Sequence, residues 1–368
     1  MSNTGEKESA IKQKNTEVIK SSAARAEKDG KFSKPLVNLI NEEKWTGLFT
    51  PTTYGGLQAG IPEGLQILEA IAKADGSAGW AVTNSALAGW QTGFVNAAVV
   101  KEITGKEKPL LAGTTAATGT AEKSKTGYTI NGTWSHVANA GEAAAFSLKC
   151  VVTKNGTPVK DDANKNQVIS VVLLQSEVTI SAAGETMGLV AATSSDVAAN
   201  SVKVASDRTF STDDAAKVKA RLYEFPYLQL TEAALAVNIA GMAAHFTDLY
   251  DTMIAGVKTP VGLDVNSEHM VQDTYEKHVL KMKDAHMKLY YAVELAWEAC
   301  TNRRPIKDTI LYKVSSAAQE LTKRARECVD AIYPFCGIAA MERNSDINRV
   351  WRDLHTAAQD GLLVFGGL

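Results

Sequence analysis

Asp360, His136 and a run of glycine and small hydroxyl residues from Leu111 to Ala121 are the parts of this chain whose side chains could do chemistry. A carboxylate in a desolvated pocket keeps its proton to higher pH than in water, so Asp360 could serve as a general base; solvated near the chain's end, it would be an ordinary surface charge. His136, within Trp134-Ser135-His136-Val137-Ala138-Asn139, could titrate near neutral pH or stack on a planar ligand, and a lone histidine equally fits a structural role. In Leu111-Ala112-Gly113-Thr114-Thr115-Ala116-Ala117-Thr118-Gly119-Thr120-Ala121, the residues Thr114, Thr115 and Gly119 would let backbone N–H groups approach a flat ligand closely. The same composition also suits a plain loop.

The remaining titratable residues exclude other chemistries. His245, His269, His278 and His286 show neither an i, i+4 histidine pair nor the Glu-x-x-His repeat of a di-iron bundle, so no metal site is expected. Cys150, Cys300, Cys328 and Cys336 lack CxxC or Cys/His spacing and read as reduced, buried thiols. In 368 residues with 45% apolar and 22% charged content, a net charge of −2 provides no basic field for nucleic acid or an anionic membrane. A small molecule or another subunit is the expected partner. The opening Met-Ser-Asn-Thr-Gly-Glu-Lys-Glu-Ser has no apolar leader run, and no window reaches the ~20 apolar residues a membrane span needs. A cytoplasmic protein is expected.

The elements that must position these residues follow from periodicity. Leu36, Val37, Leu39 and Ile40, then Leu65, Ile67, Leu68, Ile71 and Ala72 after Pro62, repeat at helix spacing; Pro51 and Gly55-Gly56 mark a turn between them. From about Gly105 to Phe210, short β-compatible runs such as Val168 to Leu174 alternate with Gly, Asn and Ser turns, as a small barrel or sandwich requires, and Lys154 to Lys165 reads as an exposed hairpin loop. Four long helical windows follow, Leu228 to Ala255, Ser267 to Thr301, Ile306 to Tyr333 and Ile347 to Val364, with breaks at Pro260-Gly262 and Arg304-Pro305. The expected fold is therefore α+β: an N-terminal helical domain over 1–106, a middle β domain over 107–211 and a C-terminal four-helix bundle over 212–368.

Two segments carry a resemblance. Gly127-Tyr128-Thr129-Ile130-Asn131-Gly132-Thr133-Trp134 and Gly188-Leu189-Val190-Ala191-Ala192-Thr193-Ser194-Ser195-Asp196-Val197, about a small barrel apart and between helical flanks, resemble the acyl-CoA dehydrogenase superfamily. Ala74-Asp75-Gly76-Ser77 is similar to its A-D-x-S helix start, Pro51 to Gly56 to its P-x-x-x-G-G loop, and Arg349-Val350-Trp351-Arg352-Asp353 to its R-x-x-R-D helix. The text is most similar to the two-component (group D) flavin monooxygenases.

That resemblance implies FAD or FMN, either resident or supplied as reduced flavin by a partner reductase. The flavin would lie between the middle domain and the bundle, contacting Thr114, Thr115, Gly119, Trp134, Ser135, Ala138 and Asn139, with Gly337 in the place of a pyrophosphate loop. Asp360 and His136 would be catalytic. Two activities stay open: an acyl-CoA dehydrogenase passing electrons to an electron-transfer flavoprotein, or a monooxygenase acting on a small organic substrate. A homotetramer, or a homodimer, is implied too. Relatives hold functional groups where this chain has Ser85, Ala138 and Asp360, so a protein that kept the fold for binding or structure and lost redox chemistry is the alternative.

Overall fold

The computed structural model describes residues 10–105, 110–182, 184–255 and 265–365. Among the described residues five helices come first: α1 (Gln13–Asp29), α2 (Lys34–Glu42), α3 (Ile61–Ala74), α4 (Gly76–Gln91) and α5 (Ala97–Thr104). Pro62 sits in the first turn of α3, where its missing N–H leaves no partner unsatisfied. Asp75 divides α3 from α4 with an extended backbone, and its Oδ1 accepts the Ala78 N–H at 2.8 Å, capping α4. α4 is buried on nearly every face. Its close approach to α3 needs Gly79, because a Cβ there would lie 2.5 Å from Ala72 Cα.

Nine strands follow among the described residues: β1 (Leu111–Gly113), β2 (Gly119–Lys123), β3 (Gly127–Ala138), β4 (Ala145–Lys154), β5 (Thr157–Pro158), β6 (Val168–Leu174), β7 (Thr179–Ile180), β8 (Ser194–Ala205) and β9 (Thr209–Phe210). They form one mixed sheet in the order β7-β8-β3-β2-β4-β6-β9, with β1 and β5 also on β4. β1 and β2 both run parallel to β4, at Leu111↔Ala145 and at Gly119↔Cys150, so they are two pieces of one edge-to-edge path interrupted by residues 114–118. Trp134, Phe146, Leu148, Cys150 and Val197 fill the sheet's own core.

The C-terminal region contains α6 (Tyr227–Ala255), α7 (Val265–Thr301), α8 (Asp308–Ile332), α9 (Ile338–Met341), α10 (Asp346–Ala357) and α11 (Gly361–Phe365). The three long helices match the sequence reading, whereas the window from Ile347 to Val364 is two helices. The reason is local: Asp360 Oδ1 accepts the Leu362 N–H at 3.0 Å, which starts a new helix after α10 has ended. α6 packs on both α3 and α8, and one hydrophobic core runs from Leu65 and Trp90 to Leu235, Leu321 and Leu354. Among the described residues no helix is long and apolar enough to cross a membrane. The expected boundary at 106/107, the break at Pro260-Gly262 and the last residues, 366–368, lie outside the described residues.

Candidate active site

A cleft of about 1140 Å³ opens where the three regions meet. Trp80, Asn84, Leu87, Ala88 and Gln91 recur at helix spacing, so a single stripe of α4 forms one wall. The gap between β1 and β2 lets residues 114–118 leave the sheet and bring Thr114 and Thr115 to the cleft as a second piece of its lining. Thr114 Oγ1 accepts the Ala116 N–H at 3.2 Å and shapes that loop.

A bulge supplies the third piece. The β3–β8 ladder shifts register between Trp134 and Val137, and within the shift His136 takes a φ of 56°. Its freed backbone N–H donates to Asp196 Oδ1 at 3.1 Å, so the Asp of the second sequence signature holds the bulge. An inserted residue re-aims side chains, and here it brings the exposed His136 and the buried Ala138 into the lining.

The fourth piece is a loop over residues 184–193, tied down by α10. Arg352 Nη1 donates to the Met187 carbonyl at 2.8 Å, Asp353 Oδ1 accepts the Leu189 N–H at 2.5 Å, and Gly188 N donates to Thr356 Oγ1 at 2.9 Å. A Cβ at Gly188 would stand 2.3 Å from the Arg352 carbonyl oxygen, so only glycine permits that approach. Burial first, and then repulsion from Asp75, push the Asp353 carboxyl up to about 8.

Thr114, Thr115, His136, Ala138 and Asp360 thus share the cleft, while five other expected contacts lie outside its lining. Trp134 is buried in the sheet core with its indole N–H on the Lys149 carbonyl at 2.9 Å. Gly119 packs flat on that indole, where a Cβ would be 2.1 Å from Cζ2. Ser135 is solvent-exposed beside the bulge, and Gly337 is exposed in open space before α9. Asn139 donates its amide to Ala81 O at 2.8 Å and Ser85 Oγ at 2.9 Å, so it joins the sheet to α4. Ser85 therefore serves that joint and does not line the cleft.

Three groups that sequence reasoning did not single out line the cleft. His355 Nε2 lies 2.8 Å from Asp330 Oδ1, and its ring is tilted by 47° to that of Trp351 with the centroids 4.3 Å apart. Burial pushes the Asp330 carboxyl up, but the hydrogen bond and charge of His355 outweigh it and hold it below its usual range. Tyr227 hydroxyl accepts from Gln91 Nε2 at 2.6 Å, and Gln91 Oε1 accepts from Ser147 Oγ, linking α6, α4 and β4 in one polar chain. Burial raises the Tyr227 phenol and keeps it protonated. His355 lies two residues after the R-x-x-R-D segment, but its partner is 25 residues away in the chain, so no local spacing marks the pair. Gln91 is the last member of the α4 stripe and belongs to none of the quoted motifs.

Burial also raises the Asp360 carboxyl, and the Leu362 N–H only partly offsets it. A carboxyl of raised pKa, an imidazole–carboxylate pair and a neutral phenol around one cleft can move protons on a small organic molecule.

The family model "Acyl-CoA dehydrogenase, N-terminal domain" matches residues 8–103, and "Acyl-CoA dehydrogenase, C-terminal domain" matches residues 233–362. The chain is 22% identical over 315 residues to indole-3-acetate monooxygenase of Pseudomonas putida, covering 85% of this chain and 79% of that protein. It is 21% identical over 336 residues to the oxygenase subunit HsaA of a flavin-dependent monooxygenase of Rhodococcus jostii (strain RHA1), covering 86% and 84%. The solved structure of XiaF from Streptomyces sp. in complex with FADH2 and glycerol superposes with a TM-score of 0.82 at 20% identity, covering 95% of this chain and 89% of that one.

Proposed function

From the premise that the chain belongs to the acyl-CoA dehydrogenase family, we propose that it is the oxygenase component of a two-component flavin-dependent monooxygenase acting on a small organic substrate. The observation that carries this reading is the cleft itself, whose lining brings together Thr114, Thr115, His136 and Ala138 of the sheet region and Asp360. The relatives, named as flavin-dependent or indole-3-acetate monooxygenases, support it.

The residues present fit a flavin. Ligand pockets commonly span ~300–1,000 Å³, and a cleft of about 1140 Å³ leaves room for a ring system and a small substrate together. Gly113, Ala88, Ala138 and Ala192 keep its walls low, and Trp80, Trp351 and His136 offer flat faces. Thr114, Thr115, His136 and Ala138 would hold the flavin from the sheet side. When bound, reduced FAD or FMN supplies the electrons with which dioxygen is activated to oxygenate an organic molecule. Asp360 holds or takes a proton beside the substrate, His355 with Asp330 keeps a second proton position, and the loop over 184–193, clamped by α10, excludes water.

The reduced flavin comes in this reading from a separate reductase, as the word subunit in the HsaA relative's name suggests. We also infer a cytoplasmic homotetramer. Four free, buried cysteines suit a reducing compartment, and Leu280, Met287 and Tyr291 on α7, each more than 60% exposed, offer apolar area for assembly. A light-scattering mass of one chain would refute the assembly.

Asp360 favours a second reading, an acyl-CoA dehydrogenase, since a half-buried carboxyl of raised pKa suits removal of an α-proton. One experiment separates them. The protein is titrated anaerobically with reduced FMN and reduced FAD, then mixed with isotope-labelled dioxygen and candidate substrates. Tight binding of reduced flavin and label in the product support the monooxygenase. Bleaching of bound oxidised flavin by an acyl-CoA supports the dehydrogenase, and failure to bind either flavin overturns both.

A further inference from the structure

A second cavity, of about 1270 Å³, opens off the cleft. Thr115, Tyr227, Thr231 and Leu362 line both, so the two spaces meet at the first turns of α6. Strand β4 contributes Lys149 to the lining of this second space. Phe146, Leu148 and Cys150 point into the sheet core, and strand alternation therefore turns Ser147 and Lys149 to the opposite face. Ser147 Oγ donates to Gln91 beneath the cleft, and Lys149, two residues on, lines the second cavity.

Lys149 is half-buried, and among the described residues no carboxylate forms an ion pair with it. Burial lowers its pKa, and the charge of Asp213 only partly restores it. The other charges of the lining are placed differently. Asp213 and Asp214 are exposed, Glu224 is paired with Arg221 at 2.5 Å, and Lys219 and Arg303 are exposed. An ammonium withdrawn from water is stabilised most by a charge-assisted hydrogen bond to an anion. Tyr223, Phe225 and Leu228 beside it give the space apolar and aromatic walls.

We propose that the second cavity receives the anionic end of the substrate: Lys149 pairs with a carboxylate there, and the substrate class is a ring-containing carboxylic acid whose reacting end passes Tyr227 into the cleft. The word substrate rests on the monooxygenase reading; the anion site does not.

The test is calorimetric titration of the full chain, with and without reduced FMN, using indole-3-acetate and phenylacetate as probe acids and indole as the neutral counterpart. Wild type, Lys149→Met and Lys149→Arg are compared, with reduced-FMN affinity and melting temperature measured on each. Wild type is expected to prefer the acids over indole by about tenfold or more. Lys149→Met should lose that preference, Lys149→Arg should keep most of it, and all three should bind reduced FMN alike. Equal binding of acid and indole, no binding of either acid, or a preference that survives in Lys149→Met overturns the proposal. If the preference behaves as expected but reduced FMN does not bind wild type, the anion site stands and the monooxygenase reading fails.

Discussion

Asp353 Oδ1 and the backbone N–H of Leu189 lie 2.5 Å apart, so α10 and a loop of the sheet region share one buried hydrogen bond. With Arg352 on the Met187 carbonyl and Thr356 accepting from Gly188 N, it makes α10 a clamp on the loop that closes one side of the cleft. The R-x-x-R-D segment thus serves the cleft through this clamp. Arg352 and Asp353, adjacent in sequence, grip successive points of the same loop.

The clamp should give stability a pH dependence. Asp353 is raised to about 8 in the folded chain from an ordinary value of 3.8, so across the window between them the unfolded chain has lost a proton that the folded chain keeps. Stability from this group is present below the lower value and falls as pH rises through the upper one. Asp353→Asn, which still accepts from Leu189, should show a smaller fall in melting temperature from about pH 5 to about pH 8 than wild type. At about pH 5, Asp353→Ala should lose roughly 1–3 kcal/mol because a buried N–H loses its partner, and its gap to wild type should narrow as pH rises towards 8. Identical pH slopes for wild type and Asp353→Asn would sink the argument.

His136 occupies the left-handed region at φ 56°, a conformation that favours glycine. His136→Gly should leave the melting temperature unchanged or raise it, since left-handed backbone costs other residues about 1 kcal/mol. The same variant removes the imidazole from the cleft lining and should weaken reduced-flavin binding. A variant that melts early yet binds flavin normally would mean that His136 supports the bulge alone.

Gly119 offers a test of structural against binding roles. A Cβ there would meet Trp134 Cζ2 at 2.1 Å, so Gly119→Ala should overpack the sheet core and cost roughly 1–3 kcal/mol. Adding Trp134→Phe makes room, and the double variant should recover part of the loss in a thermodynamic cycle. Strict additivity of the two losses would show that the ring contact is not the cause.

The helical, β, helical order was legible because amphipathic and alternating periods are local, and the first three C-terminal windows match α6, α7 and α8. The break between α10 and α11 was not, since it depends on one Asp side chain capping a short helix. Within the site, Thr114, Thr115, His136, Ala138 and Asp360 reach the cleft, each on a loop, bulge or helix end adjoining a quoted motif. Trp134 and Asn139 were hidden differently: their types suit a ligand, but their partners, Lys149 O and Ser85 Oγ, come from elements that only the tertiary structure brings near. His355 with Asp330 and Gln91 with Tyr227 escaped notice for the same reason.

Asp360 is where the two remaining chemistries part. Burial raises its carboxyl, so a reaction that needs it deprotonated should gain rate as pH climbs through a value above the usual carboxylate range. Asp360→Asn keeps the oxygen that accepts from Leu362 and should fold as wild type does. In a dehydrogenase this substitution removes the base and should cut turnover by roughly 10²-fold or more, with flavin reduction by acyl-CoA lost. In a monooxygenase the flavin arrives already reduced, so binding and oxygen consumption should persist while the coupled yield of product falls and its rising pH limb disappears. Rapid-mixing measurements of flavin oxidation beside product yield distinguish these. A variant equal to wild type in yield and pH profile would leave Asp360 as the cap of α11 and nothing more.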